Sequence, residues 1–209
     1  MWRCFSDNVE FIERGVDLEF WTPEGEKGPE RRFHPQICFL EVQRPVKWPL
    51  TFLLALKHLS KRPGMENMRV QFGSVEGRSQ LLWMQILTKL NLDTIIQDYI
   101  VGVHAKPWTY YRSADLLVSP CQGGLLSRVG AEALACGCPT IMLEGSKEKK
   151  ATLKCQDTPL DMADAIETVW GKVQDDSEGM RKKARRIAVK HYDIKDTVKG
   201  FISLAERLV

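Results

Sequence analysis

Glu132 stands inside the stretch 127–135, among alanine, glycine and leucine, where a helix is expected and where a carboxylate needs a partner. A sugar hydroxyl would satisfy it. Ser127 opens the stretch, and Gly137 followed by Pro139 ends it. Just upstream, Leu116, Leu117 and Val118 form the short apolar run that a strand buried on both faces requires. Gly123 and Gly124 then permit a tight turn and the close approach of a ligand to the backbone. A helix that opens straight after a glycine turn at the carboxyl end of a strand presents N–H groups that lack intrahelical partners. That arrangement suits a phosphate.

Two cations point to the same chemistry. Arg44 directly precedes Pro45 and Lys47 stands between Pro45 and Pro49, in a stiffened loop after an apolar run at 36–42. Ligands of open α/β sheets bind at the carboxyl ends of strands. Two cations there would clamp a diphosphate, arginine in a bidentate manner. The alternative for both is a pair of solvated loop charges.

The elements that must position these residues read as alternating strands and helices. Strands are expected at 36–42, 68–72, 99–103, 116–118 and 139–143. Helices are expected at 49–59, 79–90, 107–114, 127–135, 160–173, 178–190 and 196–208. The stretch 8–23 reads as a short strand with a glycine turn, and 24–32 as a polar loop. This alternation indicates an α/β fold, a Rossmann-like parallel sheet flanked by helices. It forms a single domain over 1–209, with 1–32 as a leading segment and loop and 33–209 as the core and its closing helices.

Several positions together resemble a known family. Ala114-Asp115, Ser119-Pro120, Glu132-Ala133, Ala135, Gly137, Pro139 and Ile141 resemble the donor-nucleotide signature of retaining GT-B glycosyltransferases of family 4, the glycosyl transferases group 1. Gly15-Val16-Asp17 resembles the segment through which that family enters its C-terminal half. The resemblance implies the C-terminal, donor-binding half of a GT-B fold, 1–32 being interdomain. It assigns the distal phosphate to Ser127 and to the N–H groups of Leu126, Ser127 and Arg128, beside Arg44 and Lys47. It assigns both ribose hydroxyls to Glu132, the nucleobase to the main chain of Gly102 and Val103, and the sugar to Gly123, Gly124 and Leu125. Gly124 stands where the family carries its first glutamate.

The implied reaction is retaining transfer of a hexosyl group from a nucleoside diphosphate sugar, UDP- or GDP-linked, to an acceptor hydroxyl. The donor is a substrate, and no other cofactor is implied. The acceptor would be a carbohydrate, a lipid or a small molecule, held by an N-terminal acceptor domain or a partner chain. Two alternatives stay open: a nucleotide-sugar binding module or partner subunit without turnover, which Gly124 favours, and a GT-B sugar epimerase fragment. No D-x-D triplet occurs and no cluster has metal-ligand spacing, so metal-independent transfer is expected.

Composition sets the remaining bounds. The 209 residues are 44% hydrophobic and 27% charged, ordinary for a globular protein. A net charge of +3 does not argue for nucleic acid but suits an anionic ligand. Six cysteines without a C-x-x-C pair read as buried reduced thiols, hence a reducing compartment, most simply the cytoplasm. The basic run 181–186 reads as a solvated helix face, the sharper alternative being peripheral contact with anionic headgroups of a membrane.

Overall fold

Strands that are apolar on successive residues must be covered on both faces, and helices returning between parallel strands supply that cover. A computed structural model describes residues 12, 14–28, 34–40, 49–74, 78–101, 106–121, 127–145 and 150–207. Its chain order is β1 (Gln36–Phe39), α1 (Pro49–Leu59), β2 (Arg69–Ser74), α2 (Arg78–Leu90), β3 (Ile96–Val101) and α3 (Pro107–Ser113). Then follow β4 (Leu116–Ser119), α4 (Arg128–Ala135), β5 (Thr140–Leu143), β6 (Leu153–Cys155), α5 (Pro159–Asp175), α6 (Ser177–His191) and α7 (Ile194–Glu206). The six strands form one sheet in the order β3-β2-β1-β4-β5-β6, and every neighbouring pair is parallel. This is the α/β, Rossmann-like sheet expected from the sequence.

The pleat separates two cores. Ile37, Phe39, Val70, Phe72, Leu116, Val118, Ile141 and Leu143 face one side, packed by Phe52, Leu53 and Leu56 of α1 and by Met162, Ile166 and Val169 of α5. Phe39, Phe52 and Phe72 lie with near-parallel rings, Phe39 at 4.6 and 5.0 Å from the other two, which are 6.5 Å apart. Cys38 and Leu117 face the other side, against Tyr111 of α3 and Ala133 of α4.

Strand and helix positions follow the expected ones closely, with three differences. β6 was not anticipated. It is a three-residue strand at the sheet edge, with Lys154 between Leu153 and Cys155, so it lacks the apolar run of a central strand. β3 begins at Ile96 rather than at Tyr99. The stretch 8–23 holds no strand among its described residues; Val16 instead makes a single parallel bridge to Asp193.

That bridge fastens the leading segment onto α6 and α7. Val16 N–H donates to the Tyr192 carbonyl at 2.8 Å, and Ile194 N–H donates to the Val16 carbonyl at 3.1 Å. Gly15 N–H donates to Thr197 Oγ1 at 2.8 Å. A Cβ on Gly15 would fall 2.5 Å from the Ile194 nitrogen and 2.6 Å from the Asp193 carbonyl group, all backbone atoms. Gly15→Ala should therefore lower stability by about 1–3 kcal/mol through forced separation of these backbones. Urea unfolding checks this, and a wild-type midpoint would refute it.

Asp115, part of the signature, has a structural task. Its Oδ2 accepts from Gln36 N–H at 2.7 Å and pairs with His34 Nδ1 at 2.7 Å, while its own N–H donates to the Gln36 carbonyl at 2.9 Å. It thus ties together the amino ends of β4 and β1, the end opposite to the one where such sheets bind ligands.

Candidate functional site

Strand order reverses between β1 and β4, so the chain leaves these adjacent strands at their carboxyl ends in opposite directions around the sheet. Arg44 and Lys47 follow β1, and Gly123, Gly124, Leu125 and Leu126 follow β4. All six, together with Gly102 and Val103, lie outside the described residues. Ser127, Arg128 and Glu132 are described, and all three stand at the start of α4, Ser127 as its cap and Arg128 paired with Glu132.

Ser127 is the N-cap of α4. Its Oγ accepts from Gly130 N–H at 3.1 Å and lies 2.9 Å from Ser119 Oγ, the last residue of β4. The cap locks the helix start to the strand end. The hydroxyl is thereby engaged, and the N–H groups of the first turn are what the helix offers to an anion.

The C-terminus of α4 is equally well defined. Gly137 adopts φ +76°, in the left-handed region, and its N–H donates to the Leu134 carbonyl at 3.0 Å. Arg185 of α6 donates to the Ala135 carbonyl at 2.8 Å, and to the Trp21 and Leu18 carbonyls at 2.6 and 2.9 Å. Arg181 donates to the Ala114 carbonyl at 2.8 Å. Two cations of the run 181–186 therefore turn inward, whereas Lys182, Lys183 and Arg186 are exposed. The run is only in part the solvated face expected from the sequence.

Glu132 lies one turn into α4 and is 8% exposed. Arg128 Nε approaches its Oε1 at 3.2 Å, and the Tyr111 hydroxyl donates to its Oε2 at 3.4 Å. The sequence reading anticipated an ion pair with a nearby cation as the alternative to ribose, and the ligand-free chain has that pair. Tyr111 was missed. It is 1% exposed, and nothing in its local pattern links it to a helix 21 residues away.

Two thiols near this site, those of Cys136 and Cys138, are poorly reactive. Cys38, Cys121, Cys136, Cys138 and Cys155 are buried. Burial pushes the Cys136 and Cys138 thiols up to about 12, so both stay protonated at neutral pH and are poor nucleophiles. Among the described residues no group of three or more acidic, histidine or cysteine side chains has the disposition of a metal site. No helix among them is long and apolar enough to cross a membrane.

No family model matches the chain. It is 26% identical over 198 residues to a D-inositol 3-phosphate glycosyltransferase of Paenarthrobacter aurescens strain TC1, covering 88% of this chain and 47% of that protein. The chain thus spans about half the length of the curated relatives it matches. In structure it resembles a glycosyltransferase from Rickettsia africae with a TM-score of 0.76, at 16% identity over 96% of this chain and 57% of the other. It resembles HepE of Anabaena, solved in complex with UDP, with a TM-score of 0.68 at 15% identity, over 93% and 57%. It also superimposes on the C-terminal domain of a group 1 glycosyltransferase from Francisella tularensis, with a TM-score of 0.62 at 18% identity, over 86% of this chain and 100% of that one. The fold is that of GT-B-type glycosyltransferases, and the sequence similarity is to glycosyltransferases as well.

Proposed function

We propose that this chain binds a nucleoside diphosphate sugar and serves as the donor half of a retaining family 4 hexosyltransferase. The observation that carries the reading is the start of α4. A capped helix opens at the carboxyl end of β4, beside the reversal of strand order, with the carboxylate of Glu132 one turn inside. The α4 N–H groups and dipole favour an anion there by roughly 0.3–1 kcal/mol at an exposed site. Arg44 and Lys47 complete the diphosphate site from the loop after β1. Glu132 takes the ribose, Gly102 and Val103 the base, and Gly123, Gly124 and Leu125 the sugar. UDP is the first nucleotide to test, because HepE was solved with it.

In the transfer, the bond between the anomeric carbon and the diphosphate oxygen breaks. The electron pair leaves with the diphosphate. The acceptor oxygen bonds to the same carbon on the same face, and its proton passes to the released diphosphate. The protein's contribution is electrostatic, because cations and helix N–H groups oppose the charge that builds on the leaving group. The acceptor, a carbohydrate, lipid or small molecule, is met by a further domain or partner chain.

A thermal-shift panel of UDP, GDP, ADP and TDP with their sugars tests the reading. The preferred nucleotide should stabilise the chain by about 2.7 kcal/mol at a hundredfold excess over its dissociation constant. Absence of a shift with every member would overturn it. Glu132→Gln should then reduce preference for ribose over 2′-deoxyribose, from about ten- to a hundredfold in the wild type to a few fold. Equal preference in both proteins, by calorimetry, would remove the ribose role.

A second reading, binding without turnover, is favoured by Gly124 in place of a sugar-gripping carboxylate. It predicts tight nucleotide binding, weak discrimination among sugars and no transfer by the full-length gene product.

A further inference from the structure

Arg128 is the first residue of α4, and it is a cation at the end of a helix where the dipole disfavours one. No acidic residue in the first turn offsets it. Its side chain is 64% exposed, yet it reaches back along the helix to Glu132, whose side chain is 10% exposed. The contact is made on Oε1 at 3.2 Å, while the Tyr111 hydroxyl lies on Oε2.

We infer that Arg128 is a placeholder cation that exchanges partners when the nucleotide binds. This rests on the assignment of Glu132 to ribose. In the empty site Arg128 occupies Oε1 of this nearly buried carboxylate and adds a charge-assisted partner to it. When a nucleoside diphosphate arrives, a ribose hydroxyl donates to Oε1 in its place. The guanidinium turns outward at the helix start, where the diphosphate sits, and donates to a phosphate oxygen. Tyr111 stays on Oε2 and holds the carboxylate in place during the exchange.

The magnitudes permit this. An ion pair with one exposed partner is worth about 0.2–1 kcal/mol, so a ligand can displace it. A guanidinium bonded to phosphate is worth about 1.5–3 kcal/mol. The consequence is selectivity. A nucleoside without phosphates must displace Arg128 and gives it nothing in return, whereas a nucleoside diphosphate supplies the new partner. Arg128 therefore widens the gap between the two ligands from both sides.

Calorimetry on the 209-residue chain tests this, with uridine and UDP, and guanosine and GDP in parallel, on the wild type, Arg128→Met and Glu132→Gln. Methionine retains an apolar stem without the charge; it gives up the pair with Glu132 and relieves the unfavourable dipole contact, so the two changes oppose each other, and a melting curve checks that the variant is folded before titration. In Arg128→Met, nucleoside affinity should rise about two- to fivefold. Its diphosphate affinity should fall about tenfold. A fall in both, no change in nucleoside affinity, or a rise in both would overturn the exchange. The underlying reading is tested separately, by 2′-deoxy-UDP and 2′-deoxy-GDP on Glu132→Gln. If that variant keeps the full ribose preference, the ribose assignment falls and the exchange falls with it. If it loses the preference while Arg128→Met leaves nucleoside affinity unchanged, the exchange alone falls.

Discussion

Replacing Arg44 and Lys47 together by alanine should weaken nucleoside diphosphate binding by at least about a hundredfold, at roughly 1.5–3 kcal/mol for each charge-assisted contact. Both residues follow β1 in the sequence, and β1 pairs with β4, whose carboxyl end leads towards α4. A diphosphate carries more charge than the amide groups of one helix end can offset, and cationic side chains favour its approach. The two residues are three apart in the sequence and are assigned to one ligand group, so their effects need not add and the double variant is the informative one. Uridine, which has no phosphate, should bind the double variant within about threefold of wild type, a change below 1 kcal/mol. The wild type should lose UDP affinity as salt rises, and the variant should lose much less. UDP affinity within threefold of wild type in the double variant would end the assignment.

Arg185→Met is expected to cost about 2–4 kcal/mol of folding stability, because charged hydrogen bonds to three carbonyls vanish together. Two of these carbonyls belong to the turn at Leu18 and Trp21, and the third is the last residue of α4. A helix C-terminus has carbonyls without intrahelical donors, and a guanidinium there satisfies them and complements the dipole. Removing it strands these acceptors where water reaches them poorly. Arg186→Met, at an exposed position one residue on, should change stability by under about 0.5 kcal/mol and serves as the control. Urea unfolding of the two variants decides the matter. Equal stabilities would mean that Arg185 is no more than a solvated charge.

The pair of arginines in α6 shows where sequence reading stops. Helical periodicity places Arg181 and Arg185 on one face, four residues apart, beside other cations of the same run. It does not say what that face meets. Only the packing of α6 supplies the Ala114 carbonyl after α3 to Arg181 and the carbonyls of α4 and the turn at 18–21 to Arg185, and leaves Lys183 and Arg186 in water. Asp115 is a similar case. Its place in the signature is plain in the sequence, but its partners His34 and Gln36 lie about eighty residues earlier and meet it only once β1 pairs with β4.

Much of the local structure was legible, although 8–23 holds no strand among its described residues. Ser127 as a cap, Gly137 in the left-handed region, and the bounds of α1 follow from groups a few residues apart, whose geometry the chain itself dictates. Alternation of apolar strands with amphipathic helices likewise required a parallel sheet, because nothing else covers both faces. β6 escaped because an edge strand is buried on fewer sides and needs no long apolar run. The strand order, the Tyr111 contact to Glu132 and the seating of Gly15 on Asp193 and Ile194 were decided by tertiary structure alone. Each joins groups far apart in sequence, whose meeting depends on the closure of the whole sheet.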